Sequence, residues 1–299
     1  MANTKELKTY FHFEKGKDLE VELVILPSTL LKANKPHLQT PHRTNFYHVF
    51  LFKDCHPAHS VDFQPIDVRP YSLLFVGKGQ VHCFDDLKKY KGYELIFTEE
   101  FYNITDSDIQ FIRNSMLFSG FLNRHLLYLD KESFREFYRL ARNIQAEIER
   151  PHDAHTHQIV KNLVNNFLLY VQRRQDMQQP LSSDFLPAHL SLVLQFRNLL
   201  EQQFKRNRSV AEYTKQMAVA EKKLGMATKD VLGKLPKDMI EERILLEAKR
   251  FLTHSQLTIK EICFDLGFDE PTNFTKFFKK YTGQTPAEFK IGLTGEKPA

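Results

Sequence analysis

The side chains in this sequence best suited to chemistry are its histidines, 13 among 299 residues. Three imidazoles, such as those of His42, His48 and His82, can hold zinc if their ring nitrogens converge. They are one ligand short of a closed site, so a polar pocket or hydrogen-bonded core histidines is the favoured reading. No metal and no cofactor are expected. His56-Pro-Ala-His59 and His152-Asp-Ala-His155-Thr-His157 also have ligand-like spacing. Both fall where turns or helix starts are expected, and they read as solvated loop residues. Cys55, Cys83 and Cys263 are odd in number and far apart, with no C-x-x-C pair, so reduced thiols are expected. No nucleophile elbow, P-loop or dinucleotide glycine pattern occurs, and 11 glycines leave little to build one from. The chain is expected not to be an enzyme.

Charge gives a stronger pointer. From Pro187 onward, 19 Lys and Arg oppose 14 Asp and Glu, which accounts for the whole net charge of +5. A basic excess confined to the last third points to a polyanionic partner for that third. Hydrophobic residues at 42% and charged residues at 26% are those of ordinary folded domains, which excludes wholesale disorder and a membrane protein. The N-terminal stretch lacks the basic-then-apolar order of an export signal and no apolar run reaches about 18 residues, so a cytoplasmic location is expected.

The elements that must position these groups change character along the chain. VELVILP, FYHVFLF, SLLFV and YELIF, separated by Gly77, Gly79, Pro65 and Pro70, read as short strands of a small antiparallel barrel or sandwich. From Lys131 to Arg150 the apolar positions Phe134, Phe137, Leu140, Ala141, Ile144 and Ile148 recur at three and four, the mark of a helix with one buried face. A second helix is predicted from His157 to Arg173, with Leu163 and Phe167 among the residues of a wide apolar face suited to a dimer contact. The polar stretch QDMQQPLSSDF is the best domain boundary.

Beyond it lies an internal repeat. Ser209-Val-Ala-Glu212 and Thr258-Ile-Lys-Glu261 both have the form of a capping box, each opening a short helix. In the second copy Ile259, Ile262 and Leu266 give a buried face, Gly267 ends the helix and Phe268 turns inward. Asp269 or Glu270 can then cap a second helix beginning at Pro271, with Phe274, Phe277, Phe278 and Tyr281 inside and Gly283 as its stop. The first copy repeats the plan with Met217, Leu224 and Gly233. Between the copies, Pro236 opens a connecting helix of some 16 residues, about 24 Å long. Outward positions of the second helix, Thr272, Asn273 and Lys276, can read bases, while Lys279 and Lys280 suit phosphates.

The string from Gly267 to Phe289, matched at Gly267, Phe268, Phe274, Phe278, Lys279, Gly283, Thr285, Pro286 and Phe289, resembles the C-terminal DNA-binding domain of the AraC/XylS family of bacterial transcription regulators. That resemblance covers roughly the last hundred residues. It implies two helix-turn-helix units, promoter binding and an N-terminal domain for effector or dimer contacts. The family's reading positions in the first unit fall on Lys222, Gly225 and Met226, with Lys223 beside them, and Ala218 replaces a turn glycine. The strand-rich half resembles the cupin-type effector domain of the same family. Its P-H-x-H-x-x-x-E pattern lies on Pro41 to His48, with Thr44 in place of a histidine, and its later G-x-x-H on Gly79 and His82. On this resemblance His42, Arg43, Tyr47, His48 and His82 are the candidate effector-binding residues.

The expected molecule is therefore an α+β multidomain protein. A cupin-like antiparallel β-barrel occupies residues 1–125, a helical dimerisation and linker segment 126–180, and an all-α domain with two helix-turn-helix units 186–299. Its expected function is sequence-specific transcription regulation in response to a small-molecule effector or partner, as a homodimer on double-stranded DNA, with RNA polymerase as a further partner and no membrane association. A metal-dependent cupin enzyme with a DNA-binding appendage is the alternative.

Overall fold

The computed structural model describes residues 19–26, 39–55, 58–85, 89–102, 105, 108, 111–112, 115–119, 125–178 and 187–294. His56 and most of the expected boundary stretch, 179–185, lie outside these. The chain divides into two compact units, one within residues 9–181 and one within 182–299.

Among its described residues the first unit holds nine strands: β1 (Val21–Leu26), β2 (His42–Arg43), β3 (Phe46–Asp54), β4 (Ala58–Val61), β5 (Gln64–Asp67), β6 (Ser72–Val76), β7 (Val81–Phe84), β8 (Lys91–Thr98) and β9 (Leu126–Tyr128). They form two antiparallel sheets, β1-β8-β3-β6-β9 and β2-β7-β4-β5. No closed barrel is formed among the described residues. A single turn, α1 (Glu99–Tyr102), lies between β8 and β9, and α2 (Lys131–Ile148) and α3 (Thr156–Gln178) follow β9.

Strand β3 sets the architecture, because both of its faces are buried from Phe46 to Phe52. Successive side chains of a strand point to opposite faces. Phe50 and Phe52 meet Val61 and Phe84 of the smaller sheet in one core. Tyr47, Val49 and Leu51 join a second core with Phe134, Phe137 and Ile144 of α2 and Val160, Val164, Phe167 and Val171 of α3. The larger sheet is thus the middle layer, and its second face is dried by the two amphipathic helices. Asp130 caps α2 by accepting from the N–H groups of Glu132 and Ser133 at 2.9 and 2.8 Å. Phe167, expected on a dimer face, is wholly buried and meets Phe137 edge-on at 5.5 Å. The physical reason is that the sheet demanded more apolar cover than a closed barrel would.

The second unit contains α4 (Pro187–Gln203), α5 (Val210–Gln216), α6 (Glu221–Leu232), α7 (Pro236–His254), α8 (Ile259–Asp265), α9 (Pro271–Thr282) and α10 (Pro286–Thr294). One core runs through it, from Phe196, Leu200 and Tyr213 through Ile240, Ile244 and Ala248 of α7 to Ile262, Phe268, Phe274 and Phe278. All three cysteines are free thiols. Among the described residues, no helix is long and apolar enough to cross a membrane.

Candidate nucleic-acid interface and a buried histidine cluster

The repeat is visible as matched geometry. Helices α5 and α8 have 7 residues each, and α6 and α9 have 12 each. The helix ends that enter the turns match bond for bond: Val219 N–H donates to Thr214 O and Phe268 N–H to Cys263 O, both at 3.0 Å, and the second turn then runs one residue longer before its next helix. Gly233 and Gly283 end the second helices with left-handed backbone at φ 68° and 78°.

The caps are less alike than the sequence suggests. Thr258 and Glu261 form the full reciprocal box, with Thr258 N–H donating to the Glu261 carboxylate at 2.7 Å and Glu261 N–H to Thr258 Oγ1 at 3.2 Å. Ser209 makes no side-chain cap bond. Its N–H instead donates to Asn207 Oδ1 at 3.0 Å, so the donor that Glu212 needed is already taken. Glu270 is the N-cap of α9 but its side chain does not bond there. A further box that the sequence reading missed, Thr285 with Glu288, opens α10; its T-x-x-E spacing was there to be read.

Burial then sorts each recognition helix into two faces. On α9, Phe274 and Phe278 are buried while Thr272, Asn273, Lys276, Lys279 and Lys280 are exposed. Thr272 and Lys276, four apart, share a face with Asn273 beside them. Tyr281, expected inside, is exposed: its hydroxyl donates to the Glu241 carboxylate of α7 and accepts from Lys280 Nζ at 2.9 Å. An amphipathic ring at a helix end keeps its polar tip wet. On α6, Leu224, Ala227 and Val231 are buried and Lys222, Lys223 and Met226 exposed, with open space beside Gly225. Met226, at the place equivalent to Lys276, has no hydrogen-bonding group to offer a base edge.

In the first unit, backbone register brings the histidines together. His42 of β2 pairs directly with His82 of β7, His59 of β4 pairs with Phe84, two residues from His82 and on the same face, and His48 enters from the facing sheet. Ring centroids of His82 lie 4.2 Å from His42, 4.7 Å from His48 and 5.5 Å from His59. All four rings are buried. His59, expected in a solvated loop, is thus a correction: alternation along β4 turns it inward against Phe50, Phe52, Phe84 and Tyr90. His152 and His155 are exposed and His157 is half-buried against Phe101.

Partners decide what the cluster can do. His48 Nδ1 donates to Glu94 Oε1 at 2.6 Å and its Nε2 meets Thr44 Oγ1 at 2.7 Å, so both ring nitrogens are engaged. His42 Nδ1 donates to Thr40 O at 3.0 Å. Both nitrogens of His59 and of His82 lack a hydrogen-bond partner. Burial, followed by the neighbouring His42 and His48 rings, lowers the His59 pKa to about 3 and that of His82 well below the usual value, so both are neutral imidazoles. Thr44 occupies the nitrogen a metal would need on His48, and among the described residues no group of three or more His, Cys, Asp or Glu is arranged to hold an ion. The donors present do not fit a metal. Arg43 lies against Gly79, whereas Tyr47 points to the other face of β3, stacks on Phe97 and meets Phe118 at a tilt. The expected effector group is therefore divided, with Tyr47 away from the histidines.

Residues 213–291, which run from within α5 to within α10, match a family model described as a helix-turn-helix domain, of the AraC type. The C-terminal unit carries an AraC-type helix-turn-helix domain. An uncharacterised HTH-type transcriptional regulator of Staphylococcus aureus strain MSSA476 is 25% identical over 244 residues, covering 75% of this chain and 31% of that protein. The chain thus spans about a third of the length of that relative. A probable transcription factor of Proteus vulgaris, PqrA, is 36% identical over 62 residues, 21% of this chain and 51% of that one. Among solved structures, ToxT from Vibrio cholerae aligns over 93% of this chain and 96% of its own at 14% identity, with a TM-score of 0.43.

Proposed function

We propose that this protein is a sequence-specific DNA-binding transcription regulator, cytoplasmic, whose AraC-type domain binds double-stranded DNA at promoters. The observation that carries the reading is the exposed face of α9: Thr272, Asn273 and Lys276 stand outward on a helix whose other face, Phe274 and Phe278, is locked in the core. Asparagine can pair with adenine and lysine with guanine in the major groove. Lys279 and Lys223 supply phosphate contacts, and Lys222 and Met226 stand at the reading positions of the first helix-turn-helix. Selection of bound sequences from random duplexes by the full chain, followed by salt titration, tests this. The expected outcome is an enriched motif whose log affinity falls with log salt by about 0.9 per neutralised phosphate. No enriched motif and a flat salt response would overturn it.

In this reading the cupin-like first unit takes a small-molecule effector or a partner near His42, Arg43, His48 and His82, and pairs two copies of the chain through α3. Ile159, Tyr170 and Met177 are exposed on that helix, and together with half-buried Leu163 they lie along one stripe. RNA polymerase is the further partner a promoter-bound regulator meets. The cupin-enzyme alternative finds no support in the cluster, where Thr44 and Glu94 hold the His48 ring nitrogens.

A further inference from the structure

Two helix-turn-helix units joined only by a rod would be fixed in separation but free to roll about it. The connecting helix α7, 19 residues and about 28 Å long, is such a rod. A second tie lies off its axis. The segment 204–208, which leads from α4 into the first unit, is seated on the turn of the second. Arg208 lays its guanidinium 3.5 Å from the centroid of the Phe268 ring and donates from one Nη to Leu266 O at 2.7 Å, capping the end of α8. Lys205 pairs with Asp265 at 2.6 Å and lies over the Phe251 ring at 4.9 Å. The Lys205 carbonyl packs so tightly on Gly267 that a Cβ there would stand 1.9 Å from it. Phe204, at the start of the segment, is buried under Arg243, whose guanidinium reaches Glu201 of α4 and Glu247 of α7 at 2.9 and 3.0 Å. Asn207 closes the chain of contacts by accepting from the Tyr213 hydroxyl of α5 at 3.0 Å.

We infer that Arg208, with Lys205 as its second anchor, is a positioning residue for DNA recognition: it fixes the rotational phase between the two units and hence where along the duplex the first lands once the second has found its sequence. The inference rests on the DNA-binding reading above. None of its groups is on the outward face of α6 or α9, so they act through the placement of those helices. Successive major-groove faces on one side of B-DNA recur about every 10 base pairs. A locked pair therefore protects two patches at that fixed offset, and an unlocked pair does not.

Hydroxyl-radical footprinting of the full chain on its selected duplex tests this, with Arg208→Ala and, as a milder break, the double variant Lys205→Gln with Asp265→Asn. Unmodified protein is expected to give two sharp protected patches about 10 base pairs apart. Both variants are expected to keep the patch of the second unit and to lose sharp protection at the first. A variant that merely lowered stability would weaken both patches in proportion. Arg208→Lys, which keeps the charge but loses the planar stack, is expected to restore less than half of the lost protection. If unmodified protein protects no sequence, the DNA-binding reading fails and this inference with it. If it protects both patches and the variants leave them equally sharp, or weaken them in proportion, the positioning role alone is overturned. A single patch in the unmodified protein overturns it too.

Discussion

Ala218 and Gly267 stand at the same place in the two helix-turn-helix turns, and both hold left-handed backbone, at φ 53° and 72°. Glycine adopts this region freely, while a Cβ makes it costly by about 1–2 kcal/mol. Ala218→Gly is therefore expected to stabilise the protein by roughly 0.5–1 kcal/mol, the relief of strain exceeding the extra freedom glycine gives the unfolded chain. Gly267→Ala carries the same backbone strain and adds a clash with the Lys205 carbonyl, so it should cost at least about 3 kcal/mol. Urea unfolding of both variants checks the contrast, and a destabilised Ala218→Gly would contradict it.

The buried imidazoles predict an acid weakness. An unfolded histidine takes up its proton near pH 6.5, but His59 resists until about 3 and His82 is shifted the same way, because burial and the His42 and His48 rings oppose a charge there. Between those values the unfolded chain binds more protons, so stability is full above about pH 6.5 and falls as pH drops below it. The slope is about 1.4 kcal/mol per pH unit for each ring. Carboxylates held below their ordinary range by hydrogen bonds, such as Asp130 and Asp153, lose their contribution only as the pH falls through that lowered range, below the span from pH 6.5 to 5. His59→Phe, placed among Phe50, Phe52, Phe84 and Tyr90, should flatten the curve from pH 6.5 to 5. An unchanged slope in that variant would show that His59 is not the group responsible.

If α3 pairs two copies, its exposed and buried faces must answer differently. Tyr170→Glu with Met177→Glu is expected to give a folded monomer that binds long duplexes more weakly, since avidity for paired sites is lost. Phe167→Ala should instead cost about 3–5 kcal/mol of stability, because its ring sits in the core against Phe137. Sedimentation of the three proteins separates the effects. A monomeric unmodified protein at working concentration would refute the pairing.

What could be read from the sequence was what local chemistry dictates. The periodicity of Phe274 and Phe278, the stops at Gly283 and Gly233, and the Thr258 box are set by residues within a turn of one another, and each has that role in the structure. What depended on distant chain could not be read. His59 belongs to the core only because β4 pairs with β7, and nothing in His-Pro-Ala-His announces that register. Tyr47 and His48 are neighbours in sequence but face different cores, because the helices cover one side of β3. Ser209 lost its cap to Asn207, a competitor two residues upstream that the S-x-x-E pattern does not contain.

Lysines on α9 divide by geometry into those that can discriminate and those that cannot. Lys276 stands with Thr272 and Asn273 on the outward face, away from the helix end. Lys279 and Lys280 sit in the last turn, and the Lys280 ammonium is held by the Tyr281 hydroxyl, with Glu241 beside it. Lys276→Ala is therefore expected to cost about 1–3 kcal/mol on the preferred duplex and to relax one base position. Lys279→Ala should weaken all duplexes alike and lower the salt slope by about 1. Lys280→Ala should do less, because its charge is already partly answered within the domain. Binding selections with each variant read both affinity and preference. Lys276→Ala that loses affinity while keeping the same preferred sequence would make it one more phosphate contact and leave Asn273 as the residue to test for base reading.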